Sequence, residues 1–241
     1  SGTDSFTYTA TNSGGTSSPA TVTITVGAPA LTVTAGSPLT TTVGQAYSQT
    51  FNFAGGTAPF SAYAVTGLPA GLSVSGSSAN NVTITGTPTA SGSFALTVSG
   101  WDSSTGNGPF TATQGFTLNV AVPNLALAPA SGSFTATYAA PYSQSIAASG
   151  GVGPYSYALT GSLPAGVTLN AVTGAVSGTP TASGSFAFTV TATDTGATGV
   201  GAPFTVAGNY SLTVTAPTIV VTPTALPAAI AGQAYTATLS A

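Results

Sequence analysis

Along most of the chain, apolar residues alternate with hydroxyl residues at a period of two. Val22, Ile24 and Val26 interleave with Thr21, Thr23 and Thr25. Phe94, Leu96 and Val98 repeat the pattern, as do Phe186, Phe188 and Val190, then Tyr210, Leu212 and Val214. Successive side chains of an extended strand point to opposite faces, so each run predicts a half-buried strand with an apolar inner face and a Thr-rich outer one. No stretch keeps the 3.6-residue period of a long helix. Gly55-Gly56, Gly76, Gly106-Asn107-Gly108-Pro109, Gly150-Gly151, Gly174 and Gly196 punctuate the runs as turns. The pattern predicts an all-β chain.

The runs belong to repeats. Leu68-Pro69-Ala70-Gly71-Leu72-Ser73-Val74 returns as Leu163-Pro164-Ala165-Gly166-Val167-Thr168-Leu169, and the ten residues from Gly86 to Ala95 return unchanged from Gly178 to Ala187. The first pair is offset by 95 and the second by 92, so Ser75 to Asn81 carries a three-residue excess, as a hairpin tip does. Ala46-Tyr47-Ser48-Gln49 matches Pro141-Tyr142-Ser143-Gln144, and Gly232-Gln233-Ala234-Tyr235 opens a third copy. Pro29, Pro123 and Pro217 follow one another at intervals of 94 at the junctions. Proline fixes φ and donates nothing to a ladder, which suits a short, stiff connection, so these three are the expected linker residues.

These landmarks divide the chain into 1–26, the last strands of one domain; 27–121 and 122–215, two complete domains; and 216–241, the first strands of another. A copy of this size is expected to hold about seven antiparallel strands in two packed sheets, a tandem immunoglobulin-like β-sandwich arranged as a rod. Strands are expected near Thr218 to Val221 and Ala234 to Leu239. The two end pieces could complete a sandwich between subunits by strand addition. They hold only 52 residues together, and the chain reads more simply as a window on a longer array.

Composition narrows the chemistry. The 241 residues include no Lys, Arg, His, Cys or Met, and the acids are Asp4, Asp102 and Asp194 alone. About 74 are Ser or Thr, so the polar surface is hydroxyl and backbone. A hydrophobic share of 42% is enough for packed cores. Catalysis near neutrality usually draws on His, tuned Glu or Lys, or a thiolate, and a transition-metal site needs clustered ligands. Neither is on offer, so no enzyme activity and no cofactor are expected. Phosphate neutralisation requires cations, which excludes nucleic acid as a partner. No apolar run reaches the length of a membrane-spanning helix.

Ala46-Tyr47, Gly55-Gly56-x-x-Pro59-Phe60, Gly67-Leu68-Pro69-Ala70-Gly71-Leu72, Gly86-Thr87-Pro88, Gly92-Ser93-Phe94 and Asp102 closely resemble the immunoglobulin-like tandem repeat of very large bacterial surface and secreted proteins. Tyr142, Gly150-Gly151-x-Gly153-Pro154-Tyr155, Leu163-Pro164-Ala165-Gly166, Thr173-Gly174, Gly178-Thr179-Pro180, Phe186 and Asp194 repeat the resemblance. The first copy departs at Ser75 to Asn81, where the second has its Thr-Gly turn. Ser1 to Val26 looks more like the end of a cadherin-like repeat. The resemblance implies a stalk or spacer at the cell exterior and carries over no catalytic residue.

Three features remain as candidate sites. Asp102 and Asp194 stand at equivalent places and are candidate Ca²⁺ ligands, since cadherin-like proteins stiffen their junctions with that ion. Ca²⁺ takes six to eight oxygens, however, and each complete domain has one carboxylate, so a structural Asx-turn is the competing reading. Trp101, with Tyr63 or Tyr157, is a candidate sugar-stacking platform, against a role as a core or strand-edge aromatic. The equivalent of Trp101 in the second copy is Thr193, so the fold does not demand it. Asn81-Val82-Thr83 and Asn209-Tyr210-Ser211 match the glycosylation pattern in a Thr-rich chain where chance supplies it often. The expected role is a non-catalytic segment of an extracellular filament, sheath or giant adhesin stalk. Its partners are copies of itself or neighbouring repeats; the alternative is a carbohydrate-binding or adhesive module that uses Trp101 on surface glycans.

Overall fold

The computed structural model describes residues 1–241 and is all-β. Two compact units emerge. The first comprises Ser1–Leu125, Gly150–Pro154 and Asp194–Phe204; the second comprises Ala126–Ser149, Tyr155–Thr193 and Thr205–Ala241.

The first unit opens with the hairpin of β1 (Gly2–Tyr8) and β4 (Ala20–Val26), closed at its tip by β2 (Thr11–Asn12) and β3 (Gly15–Thr16). Next come β5 (Thr32–Ala35), β6 (Thr40–Thr42), β7 (Tyr47–Ala54), β8 (Ser61–Thr66), β9 (Leu72–Ser78), β10 (Asn81–Gly86), β11 (Ala90–Trp101) and β12 (Thr111–Ala121). One sheet runs β5-β7-β10-β9; the other joins β8, β11, β12 and β6. The period-two runs deliver the core: Leu96 and Val98 from β11, with Leu118 and Val120 from β12, face Phe51, Val82 and Ile84 of the opposite sheet. Phe51 and Phe116 close the gap with ring centroids 5.0 Å apart. The β9–β10 hairpin turns at Ala79–Asn80, and its register slips between Thr83 and Ile84, which pair with Gly76 and Val74 and skip Ser75, the first residue of the stretch read as an excess.

The second unit has its own core, centred on Ile146, Val176, Val190 and Leu212. Its strands are β13 (Ala126–Ala128), β14 (Gly132–Thr137), β15 (Tyr142–Ser145), β16 (Ala147–Ser149), β17 (Tyr155–Gly161), β18 (Val167–Leu169), β19 (Ala175–Gly178) and β20 (Gly184–Asp194). β21 (Thr198–Gly199) falls in the first unit, where it pairs with Ala90–Ser91, and β22 (Phe204–Thr215) completes the second. The sheets are β14-β22-β20-β17, β15-β19-β18 and β13-β16. At the turn between β18 and β19, Asn170 Oδ1 accepts N–H bonds from Val172 and Thr173 at 2.9 and 3.0 Å.

Pairing is not antiparallel throughout. β6 lies parallel to β12, and β14 lies parallel to β22. In the first unit, Gly36-Ser37-Pro38 interrupts the opening strand, because proline offers no donor to the ladder. The chain leaves one sheet after β5 and re-enters the other as β6, beside the last strand and in its direction. The expected strands near Thr218 to Val221 and Ala234 to Leu239 are also absent as such. That segment makes one antiparallel bridge, Thr222 to Ser240, and its Ile219, Val220 and Leu239 stay exposed. With no opposing layer of apolar side chains, the alternating pattern has nothing to bury against.

Candidate functional site

Asp102 follows the end of β11 and is almost wholly buried. Its carboxylate reaches back to the loop after β7. Thr57 donates its N–H to Oδ2 at 3.1 Å, while Phe110 and Ser104 donate theirs to Oδ1 at 2.7 and 3.3 Å. The Ser104 hydroxyl donates to Oδ2 as a fourth partner. Desolvation pushes the carboxyl pKa up, but the Ser104 hydroxyl and the N–H groups of Phe110, Thr57 and Ser104 favour the anion and together outweigh it, holding the value at about 2.

Asp194 ends β20 and repeats the arrangement. Val152 donates to Oδ2 at 2.8 Å; Gly153, Gly196 and Ala197 each donate to Oδ1 at 3.1 Å. The following residue reinforces each loop. Ser103 gives its N–H and hydroxyl to the Thr57 carbonyl at 2.9 and 3.0 Å; Thr195 gives both to the Pro154 carbonyl at 3.0 and 2.7 Å.

An ionised carboxylate has about four lone-pair positions, and each of these two receives four donors. Both therefore act as knots that tie a Gly-Gly loop to a strand end. Four donors already engage each carboxylate, in competition with any cation that wants six or more oxygen ligands. Ser104 and Gly196 donate from two residues along, as in an Asx-turn. Asp4 joins neither knot: it is exposed, and its Oδ1 accepts the N–H of Ser5 at 2.8 Å.

The glycines of these loops do more than turn the chain. Gly56 and Gly151 have φ of 60° and 65°, and a Cβ on either would strike the carboxylate of Asp102 or Asp194. Sequence reasoning reads the Gly-Gly pairs as turns and misses their pairing with the acids. The available signal is recurrence, since each complete copy holds one such loop and one acid.

Trp101 lies at the end of β11, opposite Thr111 and Ser61, with 43% of its surface exposed. Tyr63 does not join it. The Tyr63 ring packs edge-on against Phe53 at 5.0 Å and beside Gly100, on the inner face, and its hydroxyl donates to the Ser78 carbonyl at 2.8 Å. Tyr157 is buried in the core of the second unit, where its hydroxyl accepts the N–H of Ala148 at 2.8 Å. Trp101 is thus a single exposed ring. Of the junction prolines, Pro29 is half-buried, Pro123 buried and Pro217 exposed, each just outside a strand. Asn81 is half-buried in β10, and Asn209 in β22 accepts a bond from the Thr189 hydroxyl at 2.8 Å.

A cleft of about 570 Å³ opens beside the Asp102 loop in the first unit, lined among others by Ser1, Pro29, Thr57, Ser103 and Phe110. Its walls carry hydroxyl and backbone groups and no ionisable side chain. Such a lining can hydrogen-bond but cannot supply a general base or an electrophile.

A family model described as "Putative Ig domain" matches residues 28–121 and again residues 124–215. No curated protein matches the chain. Among solved structures, an endo-fucoidan hydrolase from glycoside hydrolase family 107 is 15% identical, with a TM-score of 0.41 over 89% of this chain and 34% of its own. The I9–I11 tandem from titin is 13% identical, with a TM-score of 0.39 over 89% of this chain and 75% of its own. A mouse cadherin-23 segment is 13% identical, with a TM-score of 0.34 over 89% of this chain and 74% of its own. The chain spans about a third of the length of the hydrolase.

Proposed function

Because the chain belongs to this immunoglobulin-domain family in two tandem copies, we infer that it is a structural, non-catalytic segment of an extracellular bacterial filament, sheath or giant adhesin stalk. The observation that carries this reading is the fate of the acids. Asp102 and Asp194 are consumed inside loop knots, so the surface presents hydroxyl and backbone groups with almost no ionic charge. A general base needs a free basic group, and these carboxylates have none to give. Soluble β-proteins ordinarily guard their edges with Lys and other charges. A neutral hydroxyl surface instead suits contact with copies of itself or with neighbouring repeats in a polymer.

In this reading 27–121 and 122–215 are the repeating units, and Pro29, Pro123 and Pro217 stiffen their junctions. Imaging the native assembly tests it. A regular fibre whose axial repeat follows the length of one domain is the expected result; dispersed, flexible monomers would overturn it.

The exposure of Trp101 favours a second reading, an adhesive module that stacks the indole on a surface glycan. A glycan array with the native chain and a Trp101→Ala variant separates the two. Specific binding that disappears on substitution supports the module, and an array without signal leaves the structural role alone.

A further inference from the structure

Asparagine is a thermolabile side chain, and the residue after it governs how fast it is lost. Of the nine asparagines in the chain, Asn107 alone precedes glycine. Its side-chain carbonyl carbon lies one bond short of a five-membered ring with the Gly108 nitrogen. A β-carbon on the following residue obstructs that closure, and Gly108 has none.

Asn107 and Gly108 sit in the loop between β11 and β12, whose two ends the Asp102 knot clamps together. Phe110 and Ser104 donate their N–H groups to Asp102 Oδ1 at 2.7 and 3.3 Å, and the Asp102 N–H donates to the Phe110 carbonyl at 2.9 Å. Between the clamps, Thr105 to Pro109 are tied into no strand ladder. Asn107 is exposed at the centre of the turn, directly after Gly106 with its φ of 77°.

The knot also dictates the glycine. A Cβ on Gly108 would lie 2.7 Å from Ser104 Cβ and 2.8 Å from the Ser104 carbonyl oxygen. Ser104 cannot give way freely, because its N–H and hydroxyl both serve the Asp102 carboxylate. The contacts that fix the ends of the loop thus require, at its tip, the one neighbour that leaves Asn107 open to cyclisation. Other asparagines are better guarded. Asn12 and Asn170 turn Oδ1 onto backbone N–H groups of their own turns, and Ser13 and Ala171 follow them.

Asn107 has a contact to lose. Its Nδ2 donates to the Ser1 carbonyl at 2.6 Å, tying the loop to the residue that leads into β1. A carboxylate in its place has no proton to give at neutral pH, so the contact becomes one between two oxygens.

We propose that Asn107 is a site of spontaneous, irreversible deamidation, and that the carboxylate it forms releases the loop from the Ser1 carbonyl and frees the start of β1. The Gly108 nitrogen gives up its proton and bonds to Cγ of Asn107; the Cγ–Nδ2 bond breaks and Nδ2 leaves as ammonia. Solvent water then opens the succinimide at either carbonyl, giving aspartate or isoaspartate at position 107. Amide and water become carboxylate and ammonium, and nothing is oxidised or reduced. The formal charge of -3 gains one further negative unit, a large step for a chain with so few ionised groups. This chemistry is independent of the structural role inferred above.

Ageing the native full chain in mildly alkaline buffer at body temperature tests it. Isoelectric focusing shows a band one charge more acidic that grows with time, and an isoaspartyl methyltransferase labels the peptide containing Asn107 before any other. Chymotrypsin releases that peptide, since the chain has no Lys or Arg for trypsin. Asn107→Gln, an exposed substitution whose longer side chain is slow to cyclise, loses both the band and the label. Asn107→Asp carries the product's charge from the start. In that variant hydrogen exchange speeds up at the first residues of β1, while Leu96 in the first core keeps its native rate. Three results overturn the proposal: an aged chain without the acidic band, an Asn107→Gln variant that develops the band unchanged, or an Asn107→Asp variant whose β1 exchanges at the native rate.

Discussion

The carboxylate of Asp194 accepts the backbone N–H of Val152 at 2.8 Å, from a residue 42 positions earlier in the chain. Three more N–H groups converge on the same side chain, and the site is almost fully buried. Asp194→Ala orphans all four donors at once, and the cost of a buried unsatisfied group is about 1–3 kcal/mol. Water reaching the emptied loop will recover part of this, so the expected net loss is about 3 kcal/mol in urea unfolding. Asp194→Asn keeps an acceptor oxygen and should fall between the variant and the native chain.

Acid should unfold the first unit through Asp102. Its folded-state pKa of about 2 lies below the ordinary 3.8, so the unfolded chain binds the proton more tightly. The resulting stabilisation is fully present above about pH 5 and fades as the pH falls toward about 2. Urea midpoints measured across this range should be flat from neutrality to about pH 5 and then drop. An Asp102→Asn variant, already destabilised, should lose this part of the slope.

Substituting the loop glycines separates backbone strain from collision. Gly151→Ala places a Cβ against the Asp194 carboxylate and 3.1 Å from a Leu125 methyl, at a φ of 65°. Gly106→Ala demands a similar φ of 77° but meets nothing within 4 Å. The second should cost about 1 kcal/mol, the penalty for a left-handed residue alone. The first should cost about 3 kcal/mol or more, because the knot must open to admit the methyl. Equal thermal shifts for the two would show that the carboxylate is not the obstacle.

Ser91 makes a further testable contact within the first unit. It is buried, and its hydroxyl donates to the Val200 carbonyl at 2.6 Å beside the short parallel ladder of β11 and β21. Ser91→Ala leaves that carbonyl without its side-chain donor at a loss of about 1 kcal/mol. The Val200 N–H already donates to the Ser91 backbone carbonyl at 3.2 Å, so the ladder itself should persist. Hydrogen exchange at Val200 would report on the ladder, and denaturation on the lost hydroxyl.

What the sequence revealed follows from the range of each interaction. Strand faces and repeats rest on neighbours two residues apart or on whole segments copied along the chain, so Leu96, Val98, Leu212 and Val214 could be placed in cores directly. The parallel pairing of β6 with β12 was illegible, because Thr40 and Asn119 are distant in sequence and no periodicity records strand direction. The knots were half legible. An Asx-turn at Asp102 is local, but the N–H of Thr57 comes from 45 positions away. The pairing of Trp101 with Tyr63 failed for a reason alternation can explain. Gly100 carries the inward position at the end of β11, so Trp101 must face outward, away from the ring it was expected to join.

Leu96 stands four residues after Gly92 and pairs with Phe116, as Phe6 stands four after Gly2 and pairs with Val22, and this identical register with opposite burial should give opposite energetics. Leu96 is 2% exposed within the first core, and Leu96→Ala removes packed methyls and leaves a cavity, at about 2–5 kcal/mol. Phe6 occupies the matching place on β1, but half its surface meets water in the single chain. At dilution, Phe6→Ser should change the unfolding free energy of either unit by no more than about 0.5 kcal/mol. If Phe6→Ser destabilised dilute protein as strongly as Leu96→Ala, the hairpin face would already be buried within one molecule, and the contrast between the two hairpins would be lost.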